Sequence, residues 1–424
     1  MIKFISFYFT RCLGVFIFIF LCSHKLSAQI LENEVYTSNI KSIQLYPSSN
    51  DPKSQLLSPV LALNSNQTLL LSFDELNADA KYYKAKIVHC NADWTKSQLA
   101  DLEFLKEFNE FDVPDYDYSF NTKTDYVHYQ MLLPRPFLPG NYVVIIYPEG
   151  EEANPILRRR FLVYDPQVLF SPDETIISSG HFSRYDQQLM FSINYKGVSL
   201  TNPESSVTVT ILQNHRWDNA KSGIHPSFVK PDQTLLEFKY FTDQTTFKGG
   251  NEFRYFDLRS IKFLGQFVDR VQRNKNDVVV WLEPDKNRGN LAYGIEQDID
   301  GGFLIDNVER RNPLLENDYV QVNFLLQTKK LSHDVYVVGA FNQWKLNQDN
   351  FLVYDDHQHA YIGQQLLKQG WYDYQYLVDG QNNNLLEGNW NETENQYEFL
   401  VYYRPPRLQA DLLIGYHQVD YRSH

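Results

Sequence analysis

Between residues 335 and 379 the chain changes face with every residue, and that two-residue rhythm leaves room for little but β-structure. The stretch reads VYVVGAFNQWKLNQDNFLVYDDHQHAYIGQQLLKQGWYDYQYLVD. Val335 and Val337 oppose Tyr336 and Val338, Gly339 ends the strand, and Trp371, Asp373 and Gln375 later oppose Tyr372, Tyr374 and Tyr376. Nothing in it has the spacing of a catalytic motif. The same bias runs through the whole chain: aromatic residues make up 15% of it, with 29 Tyr and 29 Phe, a share that suits strands and is foreign to helical folds.

The first 28 residues stand apart. Lys3 and Arg11 precede an apolar run at 13–21 and a polar end at 23–28, the layout of a secretory signal peptide cut after Ala28. The run is too short for a membrane core that needs about 20 apolar residues. Cys22 has the bulky Leu21 before it, which argues against lipid attachment. Cleavage removes Cys12 and Cys22 and leaves Cys90 alone, so no intrachain disulfide is expected. Export without disulfides points to a bacterial periplasm, with no direct membrane insertion. Losing Lys3, Arg11 and Lys25 takes the net charge from −13 to −16, which argues against nucleic acid as a partner, and none is expected. The one basic run, Arg158, Arg159 and Arg160, reads as a strand edge whose arginines pair with local acids; a dedicated anion site is the alternative.

A chain of 424 residues suits several domains of roughly 100–150 residues each. Alternating runs predict strands at 36–46, 68–73, 81–89, 126–133, 141–147 and 160–164. Asp165-Pro166 then closes a first unit, 29–165. Thr95 and Gln98 have capping-box spacing, and Leu99, Leu102, Leu105 and Phe108 follow at three-residue intervals, which predicts one short helix. A middle unit, 166–312, takes strands near 189–195, 207–211, 235–241, 252–258 and 277–282. A last unit, 313–424, begins at Val320 and closes with YEFLVYY at 397–403, followed by a tail. The glycine-entered strand pairs near 140–164 and 370–403 look like a duplicated motif. The expected fold class is all-β, with tandem immunoglobulin-like sandwich domains and one short helix.

Three clusters tempt a chemical reading. HCNADW at 89–94 offers imidazole, thiol and carboxylate, but neighbouring strand residues face opposite ways, so His89 cannot serve Cys90. DIDGG at 298–302 resembles a calcium loop, yet Phe303 stands where such a loop requires glycine, and an Asp-Gly hairpin turn reads better. His357 and His359 share a strand face without a third ligand. The chain carries no nucleotide-binding or hydrolase motif, so no catalytic residue, metal or cofactor is expected, nor a small-molecule ligand.

GAFNQW at 339–344, with YQYLVDG at 374–380, resembles carbohydrate-binding modules of the glycogen-binding type and implies an immunoglobulin-like sandwich for the last quarter of the chain. In that family sugar stacks on the tryptophan matching Trp344, helped by a lysine and a second tryptophan; here those places hold Gln375 and Asn382. Trp344 and Trp371 are the candidate interface or glycan contacts. Over its whole mature length the chain resembles the plug proteins of the type IX secretion system. HCNADW, SFNT at 119–122 with His128-Tyr129, GGNEFRYFDLRS at 249–260, GAFNQW and EGNWNETENQYEFLVYYR at 387–404 carry the likeness in order. That resemblance implies a non-catalytic periplasmic protein associated with an outer-membrane complex. Its partner would be the translocon barrel, whose periplasmic opening it occludes when no cargo passes. The alternative is a glycan-binding module protein of the periplasm or cell surface.

Overall fold

The computed structural model of the chain describes residues 29–77, 79–171, 185–309, 312–380 and 384–421, so the expected signal peptide and Asn382 lie outside it. Within these residues the protein is all-β. Alternation works as expected: Leu69, Leu71 and Phe73 on the strand Leu69–Leu76 are fully buried, as are Val320, Val322 and Phe324 on Tyr319–Gln327.

The first sandwich stacks two sheets over one core. One sheet orders the strands Ile40–Pro47, Leu69–Leu76, Tyr126–Leu132 and Asp115–Tyr118; the other runs from Glu34–Val35 through Leu157–Tyr164, Gly140–Pro148 and Tyr83–Cys90 to Phe111–Asp112. Ile87, Tyr142, Phe161, Phe73 and Tyr129 interdigitate between them. The predicted helix is absent. Its start is drawn into bridges from Thr95 to Ile30 and from Lys96 to Cys90, and only a 3-10 turn, Asp101–Glu103, follows. Leu102 and Phe108 are then exposed, while Phe104 and Leu105 enter the core. Short helical turns appear instead at Pro203–Ser206, Pro313–Glu316 and Asn384–Glu387.

Strand pairing then crosses the boundary expected at 312/313. The strand Val207–Gln213 pairs with Asn395–Tyr403, which pairs with Leu412–Tyr421, so the predicted tail is a ten-residue strand of the middle sheet. Conversely, Arg254–Asp257 pairs with Trp371–Val378. The second sandwich is therefore built from residues on both sides of an inserted third one. Its core holds Phe191, Phe238, Val209, Phe399 and Ile414. The third sandwich wraps one ten-stranded sheet around Phe256, Phe324, Tyr372, Tyr374 and Val337. The suspected duplication fails for the same reason: Gly140–Pro148 pairs with Leu157–Tyr164, but Trp371–Val378 and Asn395–Tyr403 belong to different sheets.

Candidate functional site at the junction of three sandwiches

Two further buried clusters lie between the sandwiches, and the motif blocks of the sequence converge on these seams. Between the first and second, Val88, Cys90, Trp94, Val143 and Leu162 pack against Leu212, Leu400, Tyr402 and Leu413. Trp94, with φ of 64°, turns its ring under the Arg160 guanidinium at 4.3 Å and edge-on to Trp217 at 4.8 Å. The Ala92 N–H donates to Asp411 Oδ2 at 2.9 Å, and the Tyr402 hydroxyl donates to Asn141 Oδ1 at 2.8 Å. HCNADW is thus a docking turn. His89 Nδ1 meets Ser97 Oγ at 2.9 Å, not the thiol, and burial depresses its imidazole to about 4. Burial pushes the Cys90 thiol up to about 12, so it is no nucleophile at neutral pH.

Between the first and third sandwiches, Leu76 and Tyr126 pack on Tyr319 and frame a buried polar lock. Asp74 accepts from Lys368 Nζ at 2.7 Å and the Tyr319 hydroxyl at 2.6 Å, and lies 2.6 Å from His128 Nδ1. Lys368 also donates to the Leu314 carbonyl at 2.6 Å and lies 4.1 Å from the Tyr126 ring centre. Burial alone would raise Asp74, but Lys368 and His128 outweigh it and hold the carboxyl below its usual range. The block at 119–122 joins here: the Phe120 N–H donates to the Leu315 carbonyl at 3.1 Å.

GAFNQW sits where all three sandwiches meet. Gln343 accepts from Arg159 Nη1 at 3.2 Å, and Lys345 pairs with Glu34 at 2.6 Å, both on the first sandwich. Trp344, half-buried at φ 61°, lies under the Arg216 guanidinium of the second at 3.9 Å and against Phe253 at 5.6 Å. One face of the indole is thus covered by the guanidinium. Trp371 is half-buried elsewhere on the third sandwich, stacked on Tyr255 at 4.5 Å with its indole N–H donating to Asp373 at 2.9 Å. The structure does not bring the two tryptophans together.

The remaining blocks form the neck through which the chain enters and leaves the inserted sandwich. The Gly250 N–H donates to Asn389 Oδ1 and the Trp390 N–H to the Gly250 carbonyl, each at 2.8 Å; Asn251 Nδ2 donates to the Glu387 carbonyl at 2.8 Å. A Cβ on Gly249 would stand 1.9 Å from the Trp390 carbonyl oxygen, so only glycine fits. Glu387 anchors the neck, fully buried between Arg254, at 3.1 Å through both oxygens, and Arg288 at 2.8 Å.

The other candidates resolve differently from their sequence readings. The turn at 298–302 joins no hairpin; the Ile299 and Gly301 N–H groups donate to Asp373 at 2.5 and 3.2 Å. His357 and His359 lie in an exposed turn, not on a strand. Among the described residues, no group of three or more His, Cys, Asp and Glu side chains is placed to hold a metal ion. Among the described residues, Arg159 and Arg160 do not pair with acids but donate to carbonyls, Arg159 to that of Glu34 and Arg160 to that of Leu31. Asp74, Lys368 and Arg216 went unnoticed in the sequence. The one available signal was an Asp ending the apolar run TLLLSF.

No curated protein matches the chain. It is similar to a crystal structure of a hypothetical protein from Parabacteroides merdae ATCC 43184, with 29% identity, 93% of this chain and 100% of that one covered, and a TM-score of 0.87. Residues 40–165, the first sandwich, match the family model described as the type 9 secretion system plug protein 1st domain. The first sandwich is thus similar to the first domain of the plug proteins of the type 9 secretion system.

Proposed function

We propose that the protein is a periplasmic plug that closes the periplasmic opening of the type IX outer-membrane translocon by steric occlusion when no cargo passes, without catalysis or cofactor. The observation that carries this reading is the welded junction. Domains joined by ordinary small polar interfaces move relative to one another, whereas a large apolar interface fixes them. Here the apolar seam around Trp94 and Leu400, the Asp74–Lys368 lock and the Trp344–Arg216 stack tie the three sandwiches together. An occluding body has to keep its shape under contact, and the match of the first sandwich to a plug protein domain supports the translocon as the partner.

The reading is tested by purifying the translocon barrel from cells that carry a tagged chain and by measuring outer-membrane permeability to a large antibiotic in a deletion strain. Recovery of the chain with the barrel, and a leak on deletion, are expected. Absence from every barrel complex together with unchanged permeability defeats it. The Arg216 guanidinium over one face of Trp344 counts against the glycan-binding alternative.

A further inference from the structure

We propose that the open end of the first sandwich binds a carboxylate, carried either by the C-terminus of a short peptide or by a free small organic acid. A cavity of about 660 Å³ opens there between the two sheets, within the size range of small-ligand sites. Its wall includes Arg158, whose guanidinium makes no hydrogen bond or ion pair among the described residues; it rests 5.1 Å from the centre of the Tyr36 ring, and its Nε is shut off from water without a partner. Thr37 Oγ1, on the same wall, is likewise buried and unpartnered.

Of the other acids around the cavity, Glu75 is neutralised by a lysine and Glu151 sits at the exposed rim. Glu75 accepts from Lys81 Nζ at 2.5 Å and from the Tyr83 hydroxyl at 2.9 Å, and Glu151 at the rim accepts from Asn154 at 3.3 Å. A planar guanidinium with free donors, a hydroxyl beside it and a roomy cavity in front form a fork for a carboxylate, which takes two parallel N–H bonds. Arg158 differs in this from its neighbours: Arg159 donates to backbone carbonyls and to Gln343, and Arg160 to a backbone carbonyl. The basic run 158–160 has a dedicated anion site as its alternative reading, and of its three arginines only Arg158 keeps its side-chain donors unspent among the described residues.

The test is calorimetric titration of the mature chain with triglycine, triglycine amide, succinate and inorganic phosphate. Binding of triglycine but not of its amide assigns a peptide terminus, and binding of succinate alone assigns a free acid. Arg158→Gln should weaken the bound carboxylate at least about tenfold, with Arg158→Lys between the two. Asn154→Asp changes only an exposed rim residue, so the fold is unaffected, and should weaken binding by like-charge repulsion. The proposal is overturned if neither triglycine nor succinate binds at about 10 mM. It is equally overturned if phosphate binds as tightly as they do, or if Arg158→Gln and Asn154→Asp both bind like the unaltered chain.

Discussion

Lys368 Nζ lies 2.7 Å from Asp74 Oδ2 across the seam between the first and third sandwiches, with the two side chains 1% and 0% exposed. A buried pair of this kind adds little net stability compared with an apolar replacement, but it is costly to break on one side. Its value lies in orientation: the carboxylate fits only where the ammonium and the Tyr319 hydroxyl meet it.

Lys368→Met should therefore cost about 3–5 kcal/mol by stranding Asp74, whereas the double change Lys368→Met with Asp74→Leu should recover most of the loss. Denaturant unfolding of the unaltered chain, the two single variants Lys368→Met and Asp74→Leu, and the double variant measures this. A single-variant loss below about 1 kcal/mol would show that the lock is solvated and the seam loose.

The neck makes a prediction about acid. Burial alone would raise the Glu387 carboxyl, but Arg254 and Arg288 outweigh it and hold it at about 2, below its ordinary value of 4.5. A carboxyl depressed in the folded state contributes stability that is fully present above the unfolded value and is lost as pH falls through the folded one. This contribution, on the order of 3 kcal/mol, should disappear between about pH 4.5 and pH 2. Thermal unfolding of Glu387→Gln against the unaltered chain reads it out. The variant should be the less stable at pH 6 and the gap should close by pH 2; a gap that stays constant across that range would refute the assignment.

Cys90 is fully buried in the seam between the first two sandwiches. In native protein at pH 8 it should resist a thiol reagent and react fully in denaturant. Cys90→Ala should cost about 1–2 kcal/mol through the small cavity it leaves. Rapid labelling of the native chain would mean that the seam opens.

Strand positions were legible because alternation records which face is buried: 126–133 and 141–147 emerge as Tyr126–Leu132 and Gly140–Pro148. Which strands pair was not. The strand Asn395–Tyr403 has buried side chains on both faces whichever sheet it joins, so nothing in its residues says that its partner is Val207–Gln213 rather than a nearer strand. The helix expected after Thr95 shows the complementary failure, since a three-residue spacing of leucines fits a 3-10 turn as well and long-range bridges take the backbone first. At the junction, Trp94 and Trp344 stood out as residues, yet their partners Arg160, Trp217 and Arg216 are reached only through the fold.

Trp344 separates the two readings of the protein. Its ring is seated by Arg216 at 3.9 Å and by Gly301, where a Cβ would stand 2.6 Å from the indole at a φ of 77°. Gly301→Ala should unseat the ring through steric clash and backbone strain together, and Trp344→Ala should remove it, each costing about 2 kcal/mol or more. Both variants should become cleavable by low concentrations of protease between the sandwiches while each sandwich keeps its strands. If the protein works as a rigid stopper, cells carrying either variant should leak although the chain still co-purifies with the barrel. Soluble α-glucan should leave the tryptophan fluorescence of the unaltered chain unchanged, because the Arg216 guanidinium holds one face of the ring. Quenching by glucan, with both variants sealing the membrane normally, would instead make Trp344 a ligand contact and the stopper reading untenable.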